Sequence, residues 1–547
     1  MGGRLNVDVS PIAPLREPVF RTLWLANLGS SFGGLVQGVG AAWLMTSIAD
    51  SVDMVALVQA STTLPIMLFS LLGGAIADGF NRRLVMLGSQ LFMLVVSVLL
   101  VVVTYTGVIT PWLLLAFTFL IGCGLAFNNP SWQASVGDLV PRPLLPSAVA
   151  LNSIGFNLSR SFGPAVGGIV VAAAGAAAAF ALNAVSYVGL VIALIAWKPP
   201  ARTDVVLPRE VMRAALMSGL RYVAMSPNIA RILIRSFVFG FSAIVVLALL
   251  PVAAASLPDG GPLIYGILLG AFGVGAVGGA LVSARLQQQL GAETLVRLGF
   301  IGFAVCATLL AFSSSAVLIG LGLMIGGACW VLALSLFNVS VQLSSPRWVL
   351  GRALSAYQTA TFGGMALGSW LWGVLADSSG LAVAFMVAAG CLVAGALVGL
   401  RSPLPPRSSL DLDPLNLWQT PHVELDVEPR SGPVVIEITY KIRAGNVPAF
   451  MRVMGERQRI RRRDGARRWR LFRDLSHPEL WIETYEAPTW TEYVRYNLRL
   501  TKADANVREQ LRALHDSEEP PAVRRLIERP TSWLSAVRNP SADIGPQ

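Results

Sequence analysis

Long apolar stretches follow one another along the first 400 residues of this 547-residue chain, and no other feature restricts its fold as much. A helix needs about 20 mostly apolar residues to cross the hydrocarbon core of a bilayer. Twelve stretches reach that length: residues 21–48, 54–77, 84–106, 111–134, 147–173, 177–197, 229–254, 262–284, 294–313, 316–342, 353–376 and 380–400. The sequence therefore predicts an all-α membrane protein with twelve transmembrane helices in two six-helix halves.

Charged residues are rare in this region and frequent after it. Only 11 of the 31 acidic residues precede Arg401. Over the whole chain 13% of residues are charged, against about a quarter in ordinary soluble domains. The pattern predicts a part embedded in lipid, followed by a domain in water.

Five regions follow from these boundaries. We predict an N-terminal six-helix half at 1–200, a cytoplasmic linker between the halves at 201–228, a C-terminal six-helix half at 229–402, a second linker at 403–432 and a small α+β domain at 433–547. The first linker contains an amphipathic stretch, Arg209 to Tyr222, which suits a helix lying along the membrane surface.

Basic residues occur on alternate loops of the twelve-span arrangement. They are Arg16, Arg21, Arg82, Arg83, Arg142, Lys198, Arg202, Arg285, Arg297, Arg347, Arg352 and Arg401. Because cytoplasmic loops carry an excess of Lys and Arg, both termini are predicted to be cytoplasmic, in a multi-pass protein of the cell membrane. The net charge of +11 is then a consequence of orientation, and we expect no nucleic-acid partner.

The loop after the second span, GGAIADGFNRR at 73–83, resembles the signature loop of the major facilitator superfamily. The resemblance implies a gating role through charged contacts with neighbouring helix ends for four residues, Gly74, Asp78, Arg82 and Arg83. Gly79 and Asn81 depart from the family pattern, which usually has a basic residue and a glycine there. The alternative interpretation is an ordinary loop with orienting arginines.

The fifth span, LNSIGFNLSRSFGPAVGG at 151–168, supplies a second match. Its small residues resemble the antiporter-type helix-packing motif of the superfamily, at Gly163, Pro164, Gly167 and Gly168. The longer run at 152–164, with Asn152, Asn157, Arg160 and Pro164, resembles the drug and siderophore exporter branch of the superfamily, which includes the enterobactin exporter. This implies a secondary transporter that exports a siderophore, drug or antibiotic-like metabolite by proton antiport.

Arg160 lies 13 residues into this span, or about 20 Å from its cytoplasmic end. An arginine near the bilayer centre costs at least about 2.5–3.5 kcal/mol unless it faces water, a partner or a ligand. Either backbone carbonyls and amide side chains satisfy Arg160, or it lines a central cavity and attracts an anionic or hydrogen-bonding group of the solute. The candidate solute-binding residues are Arg160, Asn157, Asn152, Gln37 and Gln358.

Individual residues give little indication of what drives transport. No carboxylate lies in the middle of a span, which argues against a strongly cationic solute and leaves a proton carrier unassigned. The chain has no G-x-x-x-x-G-K-[ST] phosphate loop, so ATP is not the direct energy source. Cysteines 123, 306, 329 and 391 have no paired spacing, and we expect no metal and no cofactor.

The C-terminal region alternates apolar and polar residues as a soluble domain does. A strand is predicted at VVIEITYKI, a helix at PAFMRVMGERQRIRR, two strands at RWRLFRD and LWIETYEA, and helices at TWTEYVRYNLRL and ADANVREQLRAL. This β-α-β-β-α order predicts a ferredoxin-like domain. The domain resembles small dimeric antibiotic-biosynthesis monooxygenases, which implies dimerisation through it.

The arginine run at 457–473 has three interpretations: a solvated face beside anionic lipid, a site for an anionic metabolite, or a nucleic-acid surface. For the whole chain we expect a transporter rather than an enzyme. The rival is a membrane-anchored enzyme or sensor whose C-terminal domain acts as a cofactor-free monooxygenase or ligand-binding module.

Overall fold

A computed structural model of the chain describes residues 12–198, 212–346, 348–405, 412, 421 and 423–529. These residues form two compact units. The first contains the chain up to residue 212 together with 231–341 and 354–404. The second combines 213–230 and 342–353 with the chain from 405 onward. Residues 201–211 of the first predicted linker and 406–411, 413–420 and 422 of the second lie outside the described residues.

Long helices make up the first unit. They are α1 (Pro18–Ile48), α2 (Val52–Gly79), α3 (Arg82–Tyr105), α4 (Pro111–Leu139), α5 (Leu145–Ala196), α7 (Pro227–Ala255), α8 (Pro262–Leu290), α9 (Ala292–Phe312), α10 (Ala316–Leu343), α11 (Leu350–Ser379) and α12 (Leu381–Arg401), while α6 (Met212–Met225) precedes α7. The N-terminal face of the bundle is the side where α1 begins and α12 ends.

Helix α5 consists of two arms that meet at Gly175. This glycine has φ 79° and ψ 174°, a backbone conformation that is costly for residues with a Cβ. The first arm corresponds to the fifth predicted span and the second arm to the sixth. The chain therefore reverses direction at Gly175 without a loop.

Nine helices in the described part of the chain are long and apolar enough to cross a membrane on those criteria alone. One of them, over Ser147–Ala196, contains both arms of α5 and thus two predicted spans. The remaining two spans are α1 and α11, in which glycine, serine and amide residues lower the mean hydropathy. The prediction of a twelve-helix bundle is confirmed.

The second unit is built on a four-stranded antiparallel sheet. Its elements are β1 (Val434–Lys441), α13 (Val447–Asp464), β2 (Arg467–Arg473), β3 (Leu480–Ala487), α14 (Trp490–Leu498), α15 (Lys502–Leu514) and β4 (Ala522–Ile527). The strand order β2-β3-β1-β4 is that of a ferredoxin-like fold, as expected. The sequence pattern did not predict β4, which pairs with β1 and completes the sheet.

One face of this sheet forms the core of the domain with the helices. Alternate side chains of β1 are buried, and Ile436, Phe450 and Tyr485 are at most 2% exposed. The pattern reflects the two-residue period of a strand, which turns every second side chain toward the helices.

Two segments from outside the ferredoxin-like domain pack with it in the second unit. The guanidinium of Arg463 lies 5.1 Å from the ring centroid of Tyr222 in α6. That of Arg499 lies 4.2 Å from the ring centroid of Trp348, and the Tyr222 and Trp348 rings meet edge to face. Cation–π contacts therefore join the domain to α6 and to the segment before α11.

Candidate solute pathway between the helical halves

Helices α5 and α8 bring the two halves into close contact. A Cβ added at Gly266 of α8 would come within 2.7 Å of the Cα of Gly168 and within 2.8 Å of the carbonyl oxygen of Pro164. Only glycines permit such an approach, since a real Cβ never comes so near to another backbone. Gly168 and Pro164 of the predicted packing motif thus lie on the contact between the halves.

The other two glycines of the motif face α1, within the N-terminal half. A Cβ at Gly163 would come within 2.9 Å of the Leu35 Cβ, and one at Gly167 within 3.0 Å of the Val39 Cβ. The first arm of α5 is therefore a small-residue helix with two packed faces, one toward its own half and one toward the other.

Helices α2 and α11 form a second contact between the halves. The hydroxyl groups of Ser70 and Thr359 are 2.8 Å apart, and a Cβ at Gly363 would meet the Met67 sulfur at 2.9 Å. Gly74 of the signature loop lies on the same contact, because a Cβ there would approach the Ser355 hydroxyl to 2.9 Å. Helix α11 thus contacts the N-terminal half through small and hydroxyl-bearing residues, as the first arm of α5 contacts the C-terminal half through small residues.

Arg160 lies midway along the first arm of α5, on the helix that forms the first of these contacts. Its guanidinium carbon is 5.3 Å from the ring centroid of Phe272 in α8 and 5.4 Å from that of Trp330 in α10. An arginine of the N-terminal half is therefore held against aromatic rings of the C-terminal half.

These two rings belong to a larger aromatic cluster inside the C-terminal half. Its members come from α7 to α10 and meet mainly edge to face or tilted: Phe239, Phe272, Phe300, Phe303, Trp330 and Phe337. Such packing gives the rings fixed positions. Arg160 consequently meets a rigid apolar wall.

The electrostatics of Arg160 leave its hydrogen-bonding capacity available. A cation–π contact contributes about 0.5–2 kcal/mol, so two of them are comparable with the cost of placing an arginine at bilayer depth. Ring faces offer no oxygen acceptor to the five N–H groups of the guanidinium. No carboxylate in the described part of the chain forms an ion pair with Arg160.

The other predicted solute contacts lie in different surroundings. Gln37 is 4% exposed, and its carbonyl oxygen accepts hydrogen bonds from Ser97 in α3 and Asn183 in the second arm of α5. Asn152 accepts a hydrogen bond of 3.0 Å from the indole N–H of Trp132 in α4. Both residues join helices of one half, and neither contact reaches the opposite half.

Two further candidates add less. Gln358 is partly exposed and precedes Thr359 at the contact between α2 and α11. Asn157 lies one helical turn before Arg160, but its side chain is outside the described part of the structure. The structure therefore brings Arg160 alone, among the predicted residues that it describes, against the opposite half near its middle.

The arginines of the signature loop contact neighbouring helix ends. Arg82 donates to the carboxylate of Asp138 at 2.8 Å and to the carbonyl of Ala134 at 2.7 Å, both in α4. Arg83 donates to the carbonyls of Leu194 and Ile195, each at 2.8 Å, in the last turn of α5. A cation there complements the partial negative charge of a helix C-terminus. The side chain of Asp78 lies outside the described part.

Comparison with known families fits this architecture. The family model described as transmembrane secretion effector, a branch of the major facilitator superfamily, matches residues 9–531. The chain belongs to this family. Because the match runs through β4, it covers the ferredoxin-like domain as well as the bundle, and it places the chain among transporters rather than enzymes.

Sequence identity to individual relatives and solved structures is low. The staphyloferrin A transporter of Staphylococcus aureus is 24% identical over 65% of this chain and 89% of its own length. The multidrug efflux pump Tap of Mycobacterium tuberculosis is 25% identical over 73% of this chain and 96% of its own. The crystal structure of the peptide transporter PepTSo superposes with a TM-score of 0.58 at 14% identity, over 71% of this chain and 97% of its own.

The transporter also contains an ionic cluster that the sequence pattern did not predict. Arg235 of α7 is 3% exposed and donates to both carboxylate oxygens of Glu293 at the start of α9, at 2.5 and 3.1 Å. Glu293 also accepts the backbone N–H of Leu404 at 2.8 Å. The sequence signals were Arg235 itself, an arginine inside the apolar seventh span, and the spacing of Glu293 and Arg297, four residues apart on one helix face. This cluster joins α7, α9 and the residues just after α12, all within the C-terminal half of the bundle.

Proposed function

We propose that this transporter exports a small, largely apolar molecule that carries an anionic or hydrogen-bond-accepting group, such as a siderophore, drug or antibiotic-like metabolite. The observation that carries the proposal is Arg160, which lies between the halves over Phe272 and Trp330. The names of relatives, a staphyloferrin A transporter and multidrug efflux pumps, support the solute class.

The chemistry of the site explains why an anionic group suits it. A solute whose carboxylate or phenolate reaches Arg160 gains charge-assisted hydrogen bonds, each contributing about 1.5–3 kcal/mol. The aromatic wall receives its apolar part. Because the arginine and the rings come from different halves, the solute competes with a contact that helps to hold the halves together.

Orientation and coupling are part of the same proposal. The basic residues of the N-terminal face, Arg82 and Arg83 among them, support cytoplasmic termini by the positive-inside rule. Export would then be driven by proton antiport, as the family resemblance implies. The signature-loop arginines would stabilise one arrangement of the N-terminal half. Dimerisation through the ferredoxin-like domain and its contact with lipid stay predictions.

Metabolite retention tests the proposal even while the solute is unidentified. Cells that lack the transporter are compared with cells that express the wild type, Arg160→Gln or Arg160→Leu at equal membrane levels. We expect one class of acidic or strongly hydrogen-bonding compounds to accumulate inside the deficient cells and both variants, about tenfold or more if one charge-assisted bond is lost. Arg21→Gln, which removes an exposed arginine from α1, is the matched control.

Two results would refute the proposal. The first is an unchanged metabolite profile in cells without the transporter, and the second is wild-type export by both Arg160 variants. Accumulation of cationic compounds instead would refute the assigned solute class while leaving export itself intact.

A further inference from the structure

A cavity of about 270 Å³ lies inside the ferredoxin-like domain, between the sheet and the helices α13 to α15. This is near the lower end of the range for small-molecule sites, about 300–1,000 Å³. Its walls combine aromatic rings, aliphatic side chains and several guanidinium groups. All of its lining residues belong to the second unit, so the cavity is separate from the solute pathway.

The charges that line the cavity are predominantly positive. Five arginines contribute to the lining, namely Arg457, Arg461, Arg508, Arg512 and Arg525. The lining contains one acidic residue, Asp504, which is already paired with Arg463 at 3.0 Å. Glu483, buried in β3 at 0% exposure, neutralises Arg457 at 2.6 Å. The remaining arginines give the cavity a net positive charge, which favours an anionic ligand.

Arg461 is the cation best placed to bind that anion. Its side chain is 11% exposed and lies 4.5 Å from the ring centroid of Tyr485. Its Nε is 3.8 Å from the Glu483 carboxylate, beyond hydrogen-bonding distance. Within the described residues the Arg461 guanidinium donates no hydrogen bond, so the donors of a nearly buried arginine remain available at the cavity wall.

The rest of the cavity suits an apolar group. Ile438, Ile460, Val507 and Leu511 contribute aliphatic surface. Burial raises the pKa of the Tyr485 hydroxyl to about 12, so that it stays a neutral donor at physiological pH. In the described part of the chain this hydroxyl has no hydrogen-bond partner of its own.

We propose that this cavity binds a small aromatic carboxylate, with the carboxylate on Arg461 and the Tyr485 hydroxyl and the ring between the sheet and α15. The ligand would also lie beside Asp504, whose partner Arg463 contacts Tyr222 of α6. The Asp504–Arg463 ion pair therefore links the ligand site to α6, which lies in the segment that connects the two halves of the transporter.

Calorimetric titration of the full-length transporter in lipid nanodiscs with 2-naphthoate tests this proposal. We expect saturable binding by the wild type and binding at least tenfold weaker for the neutral analogue 2-naphthamide. Arg461→Gln should weaken naphthoate binding at least tenfold, whereas Arg459→Gln, an exposed arginine of the same helix, should leave it unchanged. Ala505→Phe, which fills the cavity without removing a charge, should also abolish binding.

A variant of the bundle separates this site from the solute pathway. Naphthoate binding that persists in Arg160→Gln and disappears in Arg461→Gln supports a site in the domain. Binding that disappears in Arg160→Gln and persists in both Arg461→Gln and Ala505→Phe would overturn the proposal, as would the absence of saturable binding by the wild type. Neither of these results depends on whether the transporter exports an anion.

Discussion

Arg160 in the bundle and Arg457 in the ferredoxin-like domain are both largely enclosed arginines, but their partners differ. Arg457 has the buried carboxylate of Glu483 at 2.6 Å, on the neighbouring strand β3. Arg160 has the rings of Phe272 and Trp330, which belong to the other half of the bundle. A charge paired with a buried carboxylate stabilises one structure, whereas a charge that has only rings as partners keeps its hydrogen-bond donors available to a ligand.

The largest expected effect comes from locking the contact between the halves. In a background without the four native cysteines, Ser70→Cys and Thr359→Cys place thiols where two hydroxyls are now 2.8 Å apart. Because the proposed solute pathway requires the halves to separate around Arg160, we expect the oxidised double variant to lose export completely and reduction to restore it. Each single variant serves as a control. Normal export by the cross-linked protein would show that this contact need not open.

Removal of the Glu483 carboxylate tests Arg457, the arginine of the comparison that has a permanent counter-charge. Glu483→Gln leaves Arg457 buried without its counter-charge, which should destabilise the domain by about 3–5 kcal/mol. Hydrogen exchange of β1 and β3 in the full-length protein measures the effect. Glu479→Gln, on an exposed residue just before β3, should change nothing. Equal protection in both variants would mean that the Glu483 pair contributes little to stability.

The same carboxylate predicts a dependence on pH. Burial alone would raise the pKa of Glu483, but the guanidinium groups of Arg457 and Arg461 outweigh burial and hold the pKa below its usual 4.5. Its contribution to stability is therefore complete above about pH 4.5 and is lost as pH falls through the lower folded value. The stability gap between wild type and Glu483→Gln should narrow on acidification. A gap that widens toward low pH would contradict this assignment.

A smaller effect is expected at the signature loop. Arg83→Gln removes two hydrogen bonds from a cation to the carbonyls of Leu194 and Ile195, which should loosen the last turn of α5 by about 1–3 kcal/mol. Faster hydrogen exchange of residues 190–196 would report it, with Arg21→Gln as the control. Unchanged exchange would show that water replaces the guanidinium at this helix end without cost.

The sequence predicted the helices of the bundle well because lipid restricts what can cross it. Each crossing must be apolar, long enough to span the hydrocarbon, and helical so that its backbone groups form hydrogen bonds with one another. It predicted most of the ferredoxin-like domain from strand alternation, which is strong in LWIETYEA of β3. It missed β4, since AVRRLI is short, mostly exposed and interrupted by two arginines. The pairing of that strand with β1 is a tertiary contact without a local signal.

The candidate site was predictable only in part, for a related reason. The depth of Arg160 along α5 follows from the residue count, but its ring partners belong to α8 and α10 in the other half. Gln37 looked equally polar in the sequence. The structure satisfies it with Ser97 and Asn183 inside its own half, and only contacts between distant segments separate the two cases.

Export by a charge series at Arg160 tests the central claim most directly. Once retention has identified the solute, its transport into everted membrane vesicles is measured for the wild type, Arg160→Lys, Arg160→Gln and Arg160→Leu at equal protein levels. We predict near-background transport for Gln and Leu and partial transport for Lys, which keeps the charge but not the planar donor array. Transport by Gln and Leu at the wild-type rate would contradict a solute pathway through Arg160.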